Sequence, residues 1–386
     1  MEAFDVTIIG AGLAGLQCAR LLGRQGLRVL LADRKTSLDQ KIHTTGIFVR
    51  RTLQDFDLPE DCLGPTISRV SLYSPKHRVL HLESKHAEYR IGKMARLYQR
   101  YLNQCMHSGV EWFPGATYVD SFESCEGSIV GLKIGAKTHS IKTRLLIGAD
   151  GACSRVAADL QLDINREWIV GVEDVYSGAF LDGGPQLLCF LNPLLAPGYI
   201  AWIAYDGEEA HVGVGGYPNR FDPTSALQEF QQRIRGLLDL QTAIRLERRG
   251  GRIPVGGVLK KIVSKRGLLI GDAAGAVSPL TAGGLDPCMR LSALAARVSS
   301  AYLSNGNAAV LNSYSGQAFR SKFTSRLWAR RIASSVRSPA VAEIMCGFMR
   351  LPGLSRIASR VFFGNGSFPD VEPERATLGL PVSDKI

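Results

Sequence analysis

The stretch FDVTIIGAGLAG, Phe4 to Gly15, decides how the chain must begin. Phe4 to Gly10 is a short apolar run rich in β-branched residues, which predicts a buried strand. GAGLAG follows at once, and then Leu16, Ala19, Leu22 and Leu27 recur at helical spacing. The reading is strand, glycine turn, helix. In such a turn Gly10 permits the tight reversal, Gly12 lets a pyrophosphate approach the backbone, and Gly15 lets helix and strand pack closely. The helix N-terminus then offers oriented N–H donors to an anion. A second strand, Arg28 to Ala32, ends at Asp33, about 20 residues beyond the glycines, where an acid can accept a hydrogen bond from a ribose hydroxyl. A dinucleotide site is expected, with NAD and FAD both open.

Two later segments narrow the choice. LLIGADGACSR, Leu145 to Arg155, is a buried strand ending in Asp150-Gly151. LLIGDAAGAVSPLTAGG, Leu268 to Gly284, is a strand ending in Gly271-Asp272 that leads into a small-residue turn and a helix. Together the three segments resemble the glycine fingerprint, the Asp-Gly motif and the Gly-Asp motif of FAD-dependent enzymes of the aromatic hydroxylase superfamily. Within it, GDAAGAVSPLTAGGL is most similar to the geranylgeranyl reductase family. The resemblance implies FAD held by Gly10, Gly12, Ala14, Gly15, Asp33, Arg34, Asp150, Gly151, Gly271, Asp272, Pro279, Gly283, Gly284 and Leu285. It implies a bond from Asp272 to the ribityl chain and backbone donors from 283–285 at the flavin pyrimidine edge. Arg90, at the head of the helical stretch RIGKMARLYQRYL, matches the family's cofactor-binding arginine.

Because these segments lie far apart, the FAD domain must be discontinuous, assembled from residues 1–58, 88–165 and 255–315. Between them, 59–87 and 166–254 alternate apolar and polar residues with Gly, Pro and Asn turns, the pattern of antiparallel strands with one wet face. The expected fold class is therefore α/β: a Rossmann-type FAD-binding domain, an inserted antiparallel-sheet substrate domain roofing the flavin, and a helical C-terminal region from 316 to 386. Asp222 to Leu240 reads as a helix, with an Asp cap and a Pro at the first turn.

The 386 residues carry 45% hydrophobic content and a formal charge of +11, enough for a large core and basic enough to raise a polyanionic or membrane-surface partner. The charge concentrates late: Arg320 to Arg360 holds nine Lys/Arg against Glu343 alone, interleaved with Phe323, Leu327, Trp328, Ile332, Met345, Phe348, Met349 and Ile357, with a Pro-Gly break at Pro352. One reading packs these helices on the domains; the other lays them on anionic lipid and feeds a lipid substrate to the pocket. Nucleic acid is not expected, since no recognised binding module is present. The eight cysteines stand singly, with no CxxC and no His at ligand spacing, so neither a metal site nor a disulfide framework is expected. With no leader and no long apolar run, the chain reads as cytoplasmic, at most peripheral to a membrane.

APGYIAWIAY, Ala196 to Tyr205, resembles the aromatic strand of the geranylgeranyl reductases, which implies that Tyr199 and Trp202 bind substrate. Tyr199 sits one position early, and strand alternation would turn it away from Trp202 unless a bulge intervenes. In Lys41 to Gly46 (KIHTTG), His43 stands where the reductases carry Cys. An imidazole there can donate a proton, act as a base or stabilise an anionic flavin, so His43 is the catalytic candidate. The expected activity is hydride transfer from reduced FAD to a C=C bond of a hydrophobic, isoprenoid-like substrate. NAD(P)H is the expected donor, binding transiently because no second GxGxxG provides a nicotinamide domain. Two alternatives stay open: a flavin monooxygenase acting on an aromatic or other small hydrophobic substrate, and a flavoprotein maturation factor with a protein partner.

Overall fold

Val6, Ile8 and Ile9 are buried in a strand, Ala3–Ile9, that lies between two parallel neighbours, Val29–Asp33 and Lys137–Gly148. A strand buried on both faces has no use for polar alternation, which is why FDVTII reads as a continuous apolar run. The computed structural model describes residues 1–351, 353–364 and 366–374. Among them, the first sheet has eight strands, ordered Val263–Ser264, Gly267–Leu269, Lys137–Gly148, Ala3–Ile9, Val29–Asp33 and Glu111–Pro114, with Gly127–Ile134 added antiparallel on the long third strand and Ala116–Ser124 antiparallel on Gly127–Ile134. The helices Leu13–Arg24, Met94–His107 and Leu285–Asn305 cover it, closing one core.

The second sheet has seven strands, ordered Ile244–Pro254, Trp168–Ser177, Glu209–Gly216, Ala201–Tyr205, Gln186–Phe190, Arg69–Tyr73 and Val79–Glu83. All neighbours are antiparallel except Gln186–Phe190 with Arg69–Tyr73, which run parallel because they come from two separate excursions of the chain. The expected wet positions are confined to the edge strands, Ile244–Pro254 and Val79–Glu83, which keep exposed residues. One face, through Ile203, Val212 and Val214, buries against Leu227, Phe230 and Ile234 of the Pro223–Arg233 helix and the turn after it. Asp222 caps that helix, its carboxylate accepting from the Ser225 amide at 2.7 Å. The opposite face looks into a cavity between the sheets.

After Leu285–Asn305 come the short helices Gly316–Ser321, Thr324–Ser335, Pro339–Met349 and Ser355–Phe363. Pro352, the expected break, lies outside the described residues, as does everything after Glu374. Residues 366–374 then return to the first domain, where Glu374 pairs with the buried Arg20 at 2.6 Å. No helix among the described residues is long and apolar enough to cross a membrane.

Candidate active site

The cavity has a volume of about 1540 Å³ and runs from the glycine turn to the second sheet and the last helices. At one end stand the glycines. A side chain on Gly10 (φ +106°) would collide with the Ala149 carbonyl oxygen at 2.2 Å, and one on Gly15 with the Gly10 carbonyl oxygen at 1.8 Å. One on Gly12 would meet nothing, because Gly12 opens onto the cavity. Gly10 and Gly15 are thus demanded by packing and Gly12 by whatever fills the space. Gly12 precedes the Leu13–Arg24 helix with no side-chain cap, leaving that helix's first amides facing the cavity. Asp33 is oriented by two amides, of Ala11 at 2.7 Å and Lys35 at 2.8 Å, and lines the same wall beside the exposed Arg34.

The Asp-Gly and Gly-Asp segments complete this end. Asp150 accepts from the Ser154 hydroxyl and the amides of Arg155 and Val156, so its carboxylate caps the next helix while Gly151 turns the backbone along the cavity. Gly271 (φ +56°) would bring a Cβ within 2.8 Å of the Ala14 methyl, which ties the third motif to the first. Asp272 faces the cavity, and its carboxylate oxygens make no hydrogen bond to the described residues. Burial pushes its carboxyl pKa up to about 6. Gly283, Gly284 and Leu285 line the cavity where the Leu285–Asn305 helix begins, again without a side-chain cap.

Two expected site residues fall elsewhere. Pro279 is buried in the turn after Asp272 but is not part of the cavity wall. Arg90 does not open the helix; it lies on the strand Tyr89–Gly92, and the helix starts at Met94. Its guanidinium binds Glu60 at 2.6 Å and the carbonyl oxygen of Gly64 at 2.7 Å, so it holds that strand to its neighbour and does not line the cavity. The alternation argument against Tyr199 also fails. Tyr199 precedes the strand Ala201–Tyr205, in a bend after Gly198 (φ +75°), so strand parity does not reach it. Its ring meets that of Trp202 edge-on at 6.2 Å and its hydroxyl donates to the Thr281 carbonyl.

The second sheet supplies what the sequence reading missed. On its cavity face Glu173 stands opposite Gly213 and Arg249, and His211 opposite Ala204. Glu173 is buried and accepts from the Thr45 hydroxyl at 2.6 Å and the Trp202 indole at 3.2 Å. His211, 1% exposed, sits between Glu173 and Glu209, 3.6 Å from each. Burial alone would lower its pKa, yet the two carboxylates outweigh that and raise it to about 9. Burial likewise pushes Glu173 up, and His211, Thr45 and Arg249 together hold it below the usual range. The signal was a carboxylate inside the apolar run WIVGVEDVYS and a histidine opening HVGVGG, both at positions a one-face-buried strand should fill with apolar residues.

The loop carrying His43 is pinned to this sheet at three successive residues. His43 lies with Nδ1 2.9 Å from the Gly250 carbonyl oxygen, Thr44 accepts from Arg249 at 2.9 Å, and Thr45 donates to Glu173. His43 itself is exposed on the cavity wall.

This arrangement has counterparts of known structure and sequence. The FAD binding domain family matches residues 3–58. The chain is an FAD-dependent oxidoreductase. It is 25% identical to digeranylgeranylglycerophospholipid reductase 1 of Methanococcoides burtonii over 75% of its own length and 72% of the relative's. To the corresponding reductase 1 of Methanopyrus kandleri it is 26% identical, over 76% and 80%. The fold matches that of a geranylgeranyl bacteriochlorophyll reductase-like protein from Thermoplasma acidophilum, with a TM-score of 0.83 at 17% identity over 98% and 100% of the two chains. It also matches p-nitrophenol 4-monooxygenase from Pseudomonas putida, with a TM-score of 0.73 at 17% identity over 96% and 100%. The oxidoreductase thus shares its fold with a reductase-like protein and with a monooxygenase.

Proposed function

We propose that this oxidoreductase reduces C=C bonds of an isoprenoid-type lipid, with FAD reduced by NAD(P)H or another external donor. The observation that carries the reading is the size and continuity of the cavity. At about 1540 Å³ it exceeds the roughly 300–1,000 Å³ of an ordinary ligand site, so cofactor and an elongated apolar ligand fit together. The residues present suit FAD: Gly12 leaves a bare approach for a pyrophosphate, two uncapped helix N-termini face the space, and Asp272 lacks a protein donor that a ribityl hydroxyl would supply. In this reading Gly10, Gly12, Ala14, Gly15, Asp33 and Arg34 hold the nucleotide half, while Asp272, Gly283, Gly284 and Leu285 orient the flavin half. When bound and reduced, FAD supplies the hydride. Tyr199 and Trp202 hold the prenyl chain by ring contact, and His43 places an imidazole at the cavity wall as the catalytic candidate.

The substrate's route supports a lipid. Val361 and Phe362 of the last described helix belong to the cavity wall, and the Tyr89 hydroxyl donates to the Phe362 carbonyl. Like Val361, the apolar side chains of Ile357, Leu354, Phe348 (57% exposed), Ile344 (60%) and Trp328 (59%) are exposed on these C-terminal helices and the turn between them. Arg331, Arg356 and Arg360 are exposed on these helices, and Lys322 and Arg337 are exposed in the turns before and after Thr324–Ser335. Apolar side chains ringed by cations match an anionic bilayer surface.

The test is direct. Dithionite-reduced holoenzyme is mixed anaerobically with a digeranylgeranylglycerophospholipid in anionic vesicles, and the lipid is weighed by mass spectrometry. Gain of two hydrogens per double bond is expected. An unchanged lipid, with an oxygen atom added to an aromatic probe once air is admitted, would replace this reading by the monooxygenase one.

A further inference from the structure

We propose that Glu209, His211, Glu173 and Thr45 form a proton relay from the protein surface to the cavity, which supplies the proton that C=C reduction needs. The inference rests on the reading above and concerns the half of the reaction that the cofactor does not provide. A double bond that is reduced gains a hydride at one carbon and a proton at the other. Around the cavity most of the second sheet's wall is apolar or bare, and the proton must come from a group that can be reloaded.

The four side chains form a continuous line. Glu209 is the outer end, its side chain 34% exposed. Its Oε2 lies 3.6 Å from His211 Nε2, and His211 Nδ1 lies 3.6 Å from Glu173 Oε1. Each gap is a small ring movement short of a hydrogen bond. Glu173 Oε2 is bonded to Thr45 Oγ1 at 2.6 Å, and Thr45 lines the cavity. Among the described residues, both ring nitrogens of His211 and Glu173 Oε1 are buried with no hydrogen-bond partner, a costly arrangement for a purely structural pair. It suits groups that must swap partners. The other charges facing the line are Arg249, 3.7 Å from Glu173 and paired with Glu247, and Lys93, paired with Glu208 beside Glu209. Arg249 cannot give up its proton, so it balances Glu173 without competing in transfer.

The step balances as follows. Bound, reduced FAD would supply the hydride to one carbon, and the second carbon forms its C–H bond as the Thr45 O–H bond breaks. The Glu173 carboxylate first takes Nδ1–H of the His211 imidazolium, the carboxyl so formed returns a proton to Thr45, and His211 is recharged from water through Glu209 as its ring turns over. His211 and Glu173 are positioning and carrying groups; only Thr45 meets the substrate.

Glu209→Gln tests the outer end with little risk to folding, since the side chain is part-exposed. In reduced holoenzyme acting on the same lipid, turnover should fall by about 10- to 100-fold. The solvent deuterium isotope effect should rise, while FAD content and lipid KM stay unchanged. His211→Gly should lose turnover and regain part of it in added imidazole. A readout needing no substrate is the His211 ring titration followed by NMR. Its midpoint, about 9, should drop toward the ordinary value near 6.5 in Glu173→Gln. Unaltered turnover and isotope effect in Glu209→Gln, or an unmoved His211 midpoint, would overturn the relay while leaving C=C reduction standing. A wild-type enzyme that reduces no double bond would overturn the proposed function and the relay with it.

Discussion

Gly213 sets the shape of the aromatic floor. A Cβ there would lie 2.3 Å from the Trp202 ring and 2.9 Å from the Glu173 side chain, so the indole lies flat on the strand only because glycine is beneath it. Gly213→Ala should lift Trp202, raising the lipid KM by roughly tenfold, on the order of 1.4 kcal/mol, with FAD content intact. A normal KM and normal Trp202 fluorescence would contradict this. Asp272 shows the opposite balance. Its carboxyl is raised by burial, so ionising it weakens the cofactor-free fold as pH rises through about 6. Asp272→Asn should therefore raise the melting temperature of the cofactor-free protein at pH 7 yet weaken FAD binding by about 1.5–3 kcal/mol. His211 gives a second pH signature. Its pKa of about 9 lies above the unfolded value near 6.5, so its stabilisation is full below 6.5 and is lost as pH rises through 9. Urea unfolding at pH 6.5 and 9.5 should differ by up to about 3 kcal/mol more in wild type than in His211→Gln. At this scale the glycines and Asp272 were legible, because a turn or a cradle allows few residue types. Glu173 was not, because its partners come from a distant loop and three other strands.

The C-terminal helices carry the prediction that belongs to elements. Phe323 is buried against Phe368, and Arg330, 3% exposed, lies over the Tyr217 ring, so part of the basic, aromatic stretch packs inward. Trp328, Ile344 and Phe348 do not. Trp328→Glu with Phe348→Glu should abolish the salt-resistant part of sedimentation with anionic vesicles, while added salt removes the rest. Wild-type protein that stays in the supernatant with vesicles of any charge would defeat the membrane proposal. The amphipathic helices themselves could be read from spacing, as could the capped Pro223–Arg233 helix. What spacing could not tell is which apolar face finds a protein partner. Nor could it place Arg90, because a four-residue strand before a helix has too short a period to register.

At the scale of the molecule the returning segment 366–374 holds the ends together. Arg20 is buried with Glu374 at 2.6 Å and Gln17 at 2.7 Å, and Phe368 of the same segment is part of the cavity wall. Glu374→Ala would leave a buried guanidinium without its counter-charge, so unfolding in urea should show a loss of about 3–5 kcal/mol. A loss below about 1 kcal/mol would mean that Arg20 finds solvent. That the chain makes two sheets was legible, since parallel strands read as apolar runs and antiparallel ones alternate. The closing of the cavity by residues hundreds of positions apart was not, because no local pattern encodes it. The order in which those sheets draw on the chain has a further consequence. The first sheet takes strands from 3–33, 111–148 and 263–269, and the second from 69–83, 168–216 and 244–254. The second sheet is complete only once Pro254 has been made, and the first only at Leu269. A nascent chain halted between Glu83 and Pro254 therefore presents unfinished strand edges from both sheets, and the two condense late in synthesis.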